Sequence, residues 1–85
     1  MSANDITVLC FAALREHMGG EQAVRLAEPP GARVRDLRAT LAARYPALAP
    51  LLPSCRVAVN QEFVGDDAEL PAGAEVALIP PVSGG

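Results

Sequence analysis

Hydrophobic and polar positions along the chain follow two different periods, and the change from one to the other marks its elements. Ile6-Thr7-Val8-Leu9-Cys10-Phe11 is β-branched and aromatic, which predicts a strand. Its Ile6, Val8 and Cys10 set is wholly apolar, and the opposite set carries Leu9 and Phe11. A strand apolar on both sides belongs in the middle of a sheet. A domain this small covers one sheet face with its own helix, so the Leu9 and Phe11 side is left for a partner. Ala12 to Met18 contains good helix formers and stops at Gly19-Gly20, a helix C-terminal signal. Gln22 to Ala27 alternates again, with Val24 and Leu26 facing inward, and Glu28-Pro29-Pro30-Gly31 breaks it.

The period then lengthens. Val34, Leu37, Leu41, Tyr45 and Leu48 recur at steps of three and four, predicting an amphipathic helix from about Val34 to Tyr45. Pro46 ends it by restricting Tyr45. Arg33 stands where a Ser or Thr cap is expected, and Asp36 in the first turn partly compensates. Arg35, Arg38 and Arg44 fall on the outer face, where they read as solvated residues or as a basic patch that could dock an acidic partner. Arg56 to Asn60 predicts a third strand, Asn60-Gln61-Glu62 a hairpin turn and Phe63-Val64-Gly65 its return. Leu70 to Gly73 is another turn, and Glu75 to Ile79 the last strand. The order β-α-β-α-β-β-β, with one dominant helix, predicts a two-layer α+β domain. It is the element order of a β-grasp, or ubiquitin-like, roll.

After Ile79 the pattern stops. Pro80 and Pro81 fix φ and remove two backbone donors, so the strand cannot continue and the chain is expected to extend as a stiff neck. Val82-Ser83-Gly84-Gly85 follows. Two glycines without Cβ atoms make a tip thin enough to enter a narrow channel and deliver a carboxylate there. Residues 1–79 are therefore expected to form the folded domain, and 80–85 an extended tail.

Composition narrows the chemistry. The chain has 85 residues, net charge −3, and seven basic residues, all arginine. An acidic domain poor in aromatic residues lacks the basic footprint that nucleic acid requires. No apolar run approaches a membrane span, and no basic stretch followed by an apolar block marks a signal peptide, so the expected location is cytoplasmic. Without lysine, no side-chain amine is available for Schiff-base chemistry. Cys10 and Cys55 form no CxxC and have no histidine cluster beside them, so they read as small buried hydrophobes. The lone His17 near a helix end has no visible acid–base partner. Asp66-Asp67 matches no calcium motif and reads as a solvated turn. No metal site and no stably bound cofactor are expected.

Phe11-Ala12-Ala13-Leu14-Arg15-Glu16, Val57-Ala58-Val59-Asn60 and Leu70-Pro71-Ala72-Gly73-Ala74-Glu75-Val76 lead in order to Pro80-Pro81-Val82-Ser83-Gly84-Gly85. With these segments the chain resembles the MoaD family, the small sulfur-carrier subunits of molybdopterin synthase. The resemblance implies a β-grasp fold and a reactive C-terminus. An adenylating enzyme similar to MoeB would use ATP to activate the Gly85 carboxylate, with Gly84 beside it, and a persulfide donor would convert it to a thiocarboxylate. A large subunit similar to MoaE would take up the tail, in a heterotetramer with two small subunits. It would supply the acid–base groups while sulfur passes to cyclic pyranopterin monophosphate. Leu9, Phe11, Ile79, Pro80, Pro81, Val82 and Ser83 would meet the partner. Other readings stay open: a carrier for thiamine or cysteine synthesis, a protein modifier conjugated through Gly85, or an interaction module with an inert tail.

Overall fold

The computed structural model describes residues 4–10 and 23–81. Among these, five strands form one mixed sheet beside a single α-helix: β1 (Asn4–Cys10), β2 (Ala23–Glu28), α1 (Val34–Arg44), β3 (Arg56–Val59), β4 (Glu62–Val64) and β5 (Glu75–Ile79). Two short 3₁₀ turns, Pro46–Leu48 and Leu52–Ser54, link α1 to β3. The anticipated Ala12–Met18 helix, with His17, lies outside the described residues, as does Phe11.

The sheet order is β2-β1-β5-β3-β4. The last strand thus lies in the centre, parallel to the first and antiparallel to β3. This is the β-grasp arrangement that the element order predicts. Alternation decides which residues form the core. Ile6, Val8 and Cys10 of β1 are buried, as are Val24 and Leu26 of β2, Val57 and Val59 of β3, and Val76 and Leu78 of β5. They pack against Val34, Leu37 and Leu41 on one face of α1, with Leu48 and Leu52 from the 3₁₀ turns closing one end. Fully burying each such aliphatic side chain contributes about 1.5–3 kcal/mol, which makes this layer the main source of stability. Glu28 also points to the inner side, where it is 3 % exposed and its Oε2 has no hydrogen-bond partner. Strand β2 includes this residue, the first of the predicted break and one position past the predicted strand end.

The start of α1 is held by another segment. Helix N-termini leave four N–H groups without intrahelical partners. Here Val34 N–H donates to the Ala68 carbonyl (2.9 Å) and Arg35 N–H to the Asp66 carbonyl (3.1 Å). Asp36 closes the turn by accepting from Arg33 N–H through Oδ2 at 2.8 Å, the compensation expected of it. The β4–β5 loop therefore does the work of a missing Ser or Thr cap.

One reading of exposed charge needs correction: Asp66 and Asp67 form an exposed turn and Arg35 is exposed, as the sequence suggests, but the Arg38 side chain is only 20 % exposed. Arg38 Nε pairs with Asp66 Oδ1 at 2.9 Å, and Arg35 pairs with Asp67. The loop that caps the helix carries its acids directly over the first two turns, where those arginines emerge.

The β3–β4 hairpin turns on Asn60 and Gln61, with φ of 49° and 73°. Positive φ at both central residues is the two-residue turn whose twist matches the flanking strands. Glu62, expected in the turn, accordingly belongs to β4. The Asn60 side chain reaches across to accept from Glu75 N–H at 3.0 Å, tying the turn to the start of β5.

Candidate functional site: the open sheet face and the neck

Helix α1 covers only one side of the sheet. On the other side, strand register aligns one residue from each strand: Ala23, Leu9, Ala77, Ala58 and Phe63. Every member of this row is apolar. In the next row toward the end of β5, Ile79 stands opposite Arg56. Toward the start of β5, the rows become polar: Arg25 and Thr7 lie beside Glu75, and Asp5 pairs with Arg25 at 3.8 Å. The open face therefore has an apolar end and a polar end.

The apolar end is where β5 runs into Pro80 and Pro81. Ile79 is the last strand residue; Pro80 is half-buried and Pro81 exposed. Leu9 and Ile79, two residues expected to meet a partner, are both half-buried, and Leu9 stands opposite Ala77, two residues before Ile79. The burial pattern thus agrees with the expectation that α1 protects one side of β1 and leaves the other open. Val82, Ser83, Gly84 and Gly85 lie outside the described residues, as does Phe11, so the remaining anticipated contacts rest on sequence.

Phe63 was not singled out by its position in the sequence. It is 56 % exposed, the one large hydrophobic residue so open among the described residues. Arg56 lies over its ring, with Cζ 4.1 Å from the centroid. The signal for Phe63 was present in the hairpin register. Alternation places Ala58 on the face opposite Val57 and Val59, where it is itself 7 % exposed, and its partner Phe63 shares that face.

The described residues assemble no catalytic centre. No group of three His, Cys, Asp or Glu residues among them is placed to hold a metal ion. Burial pushes the Cys10 thiol up to about 11, with Cys55 a smaller contribution in the same direction. Cys55 is also raised by burial, opposed in part by Arg38, and its Sγ donates to the Leu51 carbonyl at 3.3 Å. Both thiols are therefore protonated at neutral pH and are poor nucleophiles. They are the small buried residues the sequence suggests. An open concavity of about 410 Å³ is lined by Arg38, Cys55, Arg56, Phe63 and Asp66 among others. It joins no activated nucleophile to a base. Among the described residues, no helix is long and apolar enough to cross a membrane.

Comparison with known proteins gives this face a context. A model of the ThiS family matches residues 8–85. The molybdopterin synthase sulfur carrier subunit of Chlamydomonas reinhardtii is 46% identical over 83 residues, covering 94% of this chain and 98% of that protein. The subunit of the same description from Escherichia coli K12 is 40% identical over 82 residues, covering 94% and 99%. Among solved structures, small archaeal modifier protein 1 of Haloferax volcanii superposes with a TM-score of 0.85 at 29% identity, covering 93% of this chain and 99% of that one.

Proposed function

The chain belongs to the ThiS family, and on that premise we propose that it is the sulfur-carrier subunit of a molybdopterin synthase, loaded and unloaded at Gly85. The observation that carries this reading is the meeting of neck and docking face. The apolar row through Leu9, Ala77, Ala58 and Phe63 lies at the end of the sheet where β5 passes into Pro80-Pro81. A partner seated there would receive whatever follows the prolines. The full-length similarity to sulfur carrier subunits supports the client, and the word subunit implies a second chain that completes the enzyme.

The proposed chemistry begins with a carboxylate, a poor electrophile. An adenylating enzyme joins the Gly85 carboxylate to the α-phosphate of ATP, releasing pyrophosphate and creating an acyl-adenylate with AMP as leaving group. The terminal sulfur of a persulfide donor attacks that carbonyl and expels AMP. A thiol then cleaves the S–S bond of the acyl disulfide, carries the donor sulfur away as a disulfide and leaves the thiocarboxylate. This anion is a soft nucleophile at neutral pH. In the large subunit it attacks an oxygen-bearing carbon of cyclic pyranopterin monophosphate, the C–O bond there breaking as the C–S bond forms, and water then cleaves the acyl–sulfur bond, returning the carbonyl to a carboxylate and leaving the sulfur on the pterin. Two such deliveries build a dithiolene. ATP is consumed by the activating enzyme, and this chain needs no resident cofactor. Its own part is positional: the open face binds, the prolines keep the tail from continuing the sheet, and Gly84 and Gly85 leave room in a narrow channel.

The test compares the full chain with a variant lacking Gly85, both supplied with activating enzyme, persulfide donor, large subunit and pterin. Deletion is expected to abolish sulfur transfer and leave the melting temperature unchanged. A large fall in melting temperature, or sulfur transfer that survives, contradicts the reading.

The likeness to an archaeal modifier favours a second reading, in which Gly85 forms isopeptide bonds with lysines of other proteins. The absence of lysine here means that such a modifier would be attached singly and not in self-linked chains. Probing cell lysate for higher-mass adducts separates the two: discrete conjugates support the modifier, and their absence supports the carrier.

A further inference from the structure

Four of the described arginines, Arg25, Arg33, Arg35 and Arg38, lie within 4.0 Å of a carboxylate. Arg56 does not. It is exposed, it sits on the open face opposite Ile79 in the last paired row before the neck, and it rests on the Phe63 ring. Stacking on an aromatic face holds the guanidinium plane while leaving its N–H edge free. In a chain of net charge −3, this is a cation set at the margin of an apolar patch with its donors unspent.

We propose that Arg56 is the specificity anchor of the docking face, taking a carboxylate that the large subunit presents in an otherwise apolar surface beside the entrance to its active site. Charge complementarity argues for an acidic group. The rest of the patch offers only alanine, leucine, isoleucine and the Phe63 ring, so one ion pair within it fixes orientation as well as affinity. A fork of two parallel N–H donors suits a carboxylate. Because Arg56 pairs with Ile79, orienting the partner at Arg56 also orients it to the chain leaving β5. The inference rests on the carrier reading above and deepens it by naming the contact that selects the partner.

Titration calorimetry of the full chain with the large subunit of molybdopterin synthase tests this. Arg56→Ala should weaken binding by at least about tenfold, because a desolvated carboxylate is left unpaired on the partner. Arg56→Lys should fall between the two, since it keeps the charge without the fork. Added salt should weaken the wild-type complex more than the Arg56→Ala complex. The melting temperature of each free variant should match the parent, which a structural role for Arg56 would not allow. Equal affinity of Arg56→Ala and wild type overturns the inference while leaving the carrier reading intact. Failure of the wild-type chain to bind overturns both. A dimer of the free chain that Arg56→Ala dissolves also overturns it, by assigning the face to a second copy.

Discussion

Arg38 Nε lies 2.9 Å from Asp66 Oδ1 and joins the middle of helix α1 to the loop that caps its beginning. The same guanidinium donates to the Leu52 carbonyl and, at 3.0 Å, to the Cys55 carbonyl. One side chain thus ties α1, the second 3₁₀ turn, the approach to β3 and the β4–β5 loop. Its side chain is 20 % exposed, so these bonds are partly shielded from water. The consequence reaches the open face, because Cys55 leads directly into Arg56, the residue opposite Ile79.

Arg38→Ala should therefore destabilise the domain by about 2 kcal/mol, the scale of losing hydrogen bonds from a charged donor and leaving carbonyls unpaired. Asp66→Asn, which removes one ion pair at a more exposed acid, should cost less than about 1 kcal/mol. Urea denaturation of the two variants measures both. Equal losses would mean that the carbonyl contacts contribute nothing beyond the ion pair.

Gln61 occupies left-handed backbone at φ 73° without the freedom of glycine. Its turn type favours Asn followed by Gly. Gln61→Gly should raise stability by about 0.5–1 kcal/mol, the relieved strain outweighing the added freedom of the unfolded chain. Gln61→Val, β-branched in the same conformation, should lower it. Thermal denaturation of the pair decides, and a loss on Gly substitution would show that the Gln61 side chain makes a stabilising contact.

The buried thiols make the fold sensitive to alkali. Cys10 titrates near 9.0 when unfolded and at about 11 when folded. Above the lower value the unfolded state has released a proton that the folded state still holds, so stability falls as pH rises through that window. Below it the contribution is fully present. Denaturation midpoints measured from pH 8 to 11 should decline, and Cys10→Ala should flatten the decline while lowering stability overall. An unchanged slope in that variant would assign the alkaline loss to other groups.

Much of this architecture is legible in the residue pattern, for specific reasons. Alternation in β1 distinguishes Ile6, Val8 and Cys10 from Leu9, and the buried and half-buried positions follow it. The three-and-four spacing from Val34 to Leu48 marks the helix face and its extension into the first 3₁₀ turn. What the pattern hides is contact between segments distant in sequence. Arg38 and Asp66 are 28 residues apart, and nothing local distinguishes an arginine that finds an acid from one left in water. Phe63 reads as an ordinary strand residue until pairing with Ala58 turns it outward. Glu28 reads as part of a turn, yet the alternation of β2 carries it inward after Val24 and Leu26. The Arg38–Asp66 pair and the exposure of Phe63 depend on how distant segments meet, which composition does not encode, whereas Glu28 follows from carrying the β2 alternation one residue further. The half-burial of Leu9 and Ile79 is within reach of the pattern because it depends only on which side of their own strand they occupy.

The central claim is that Gly85 accepts sulfur. Intact mass spectrometry of the full chain, after incubation with adenylating enzyme, ATP and a persulfide donor, tests it most directly. Exchange of one carboxylate oxygen for sulfur predicts a gain of about 16 Da, localised to the C-terminal peptide and dependent on ATP. An unchanged mass under conditions that load an authentic sulfur carrier would contradict the account.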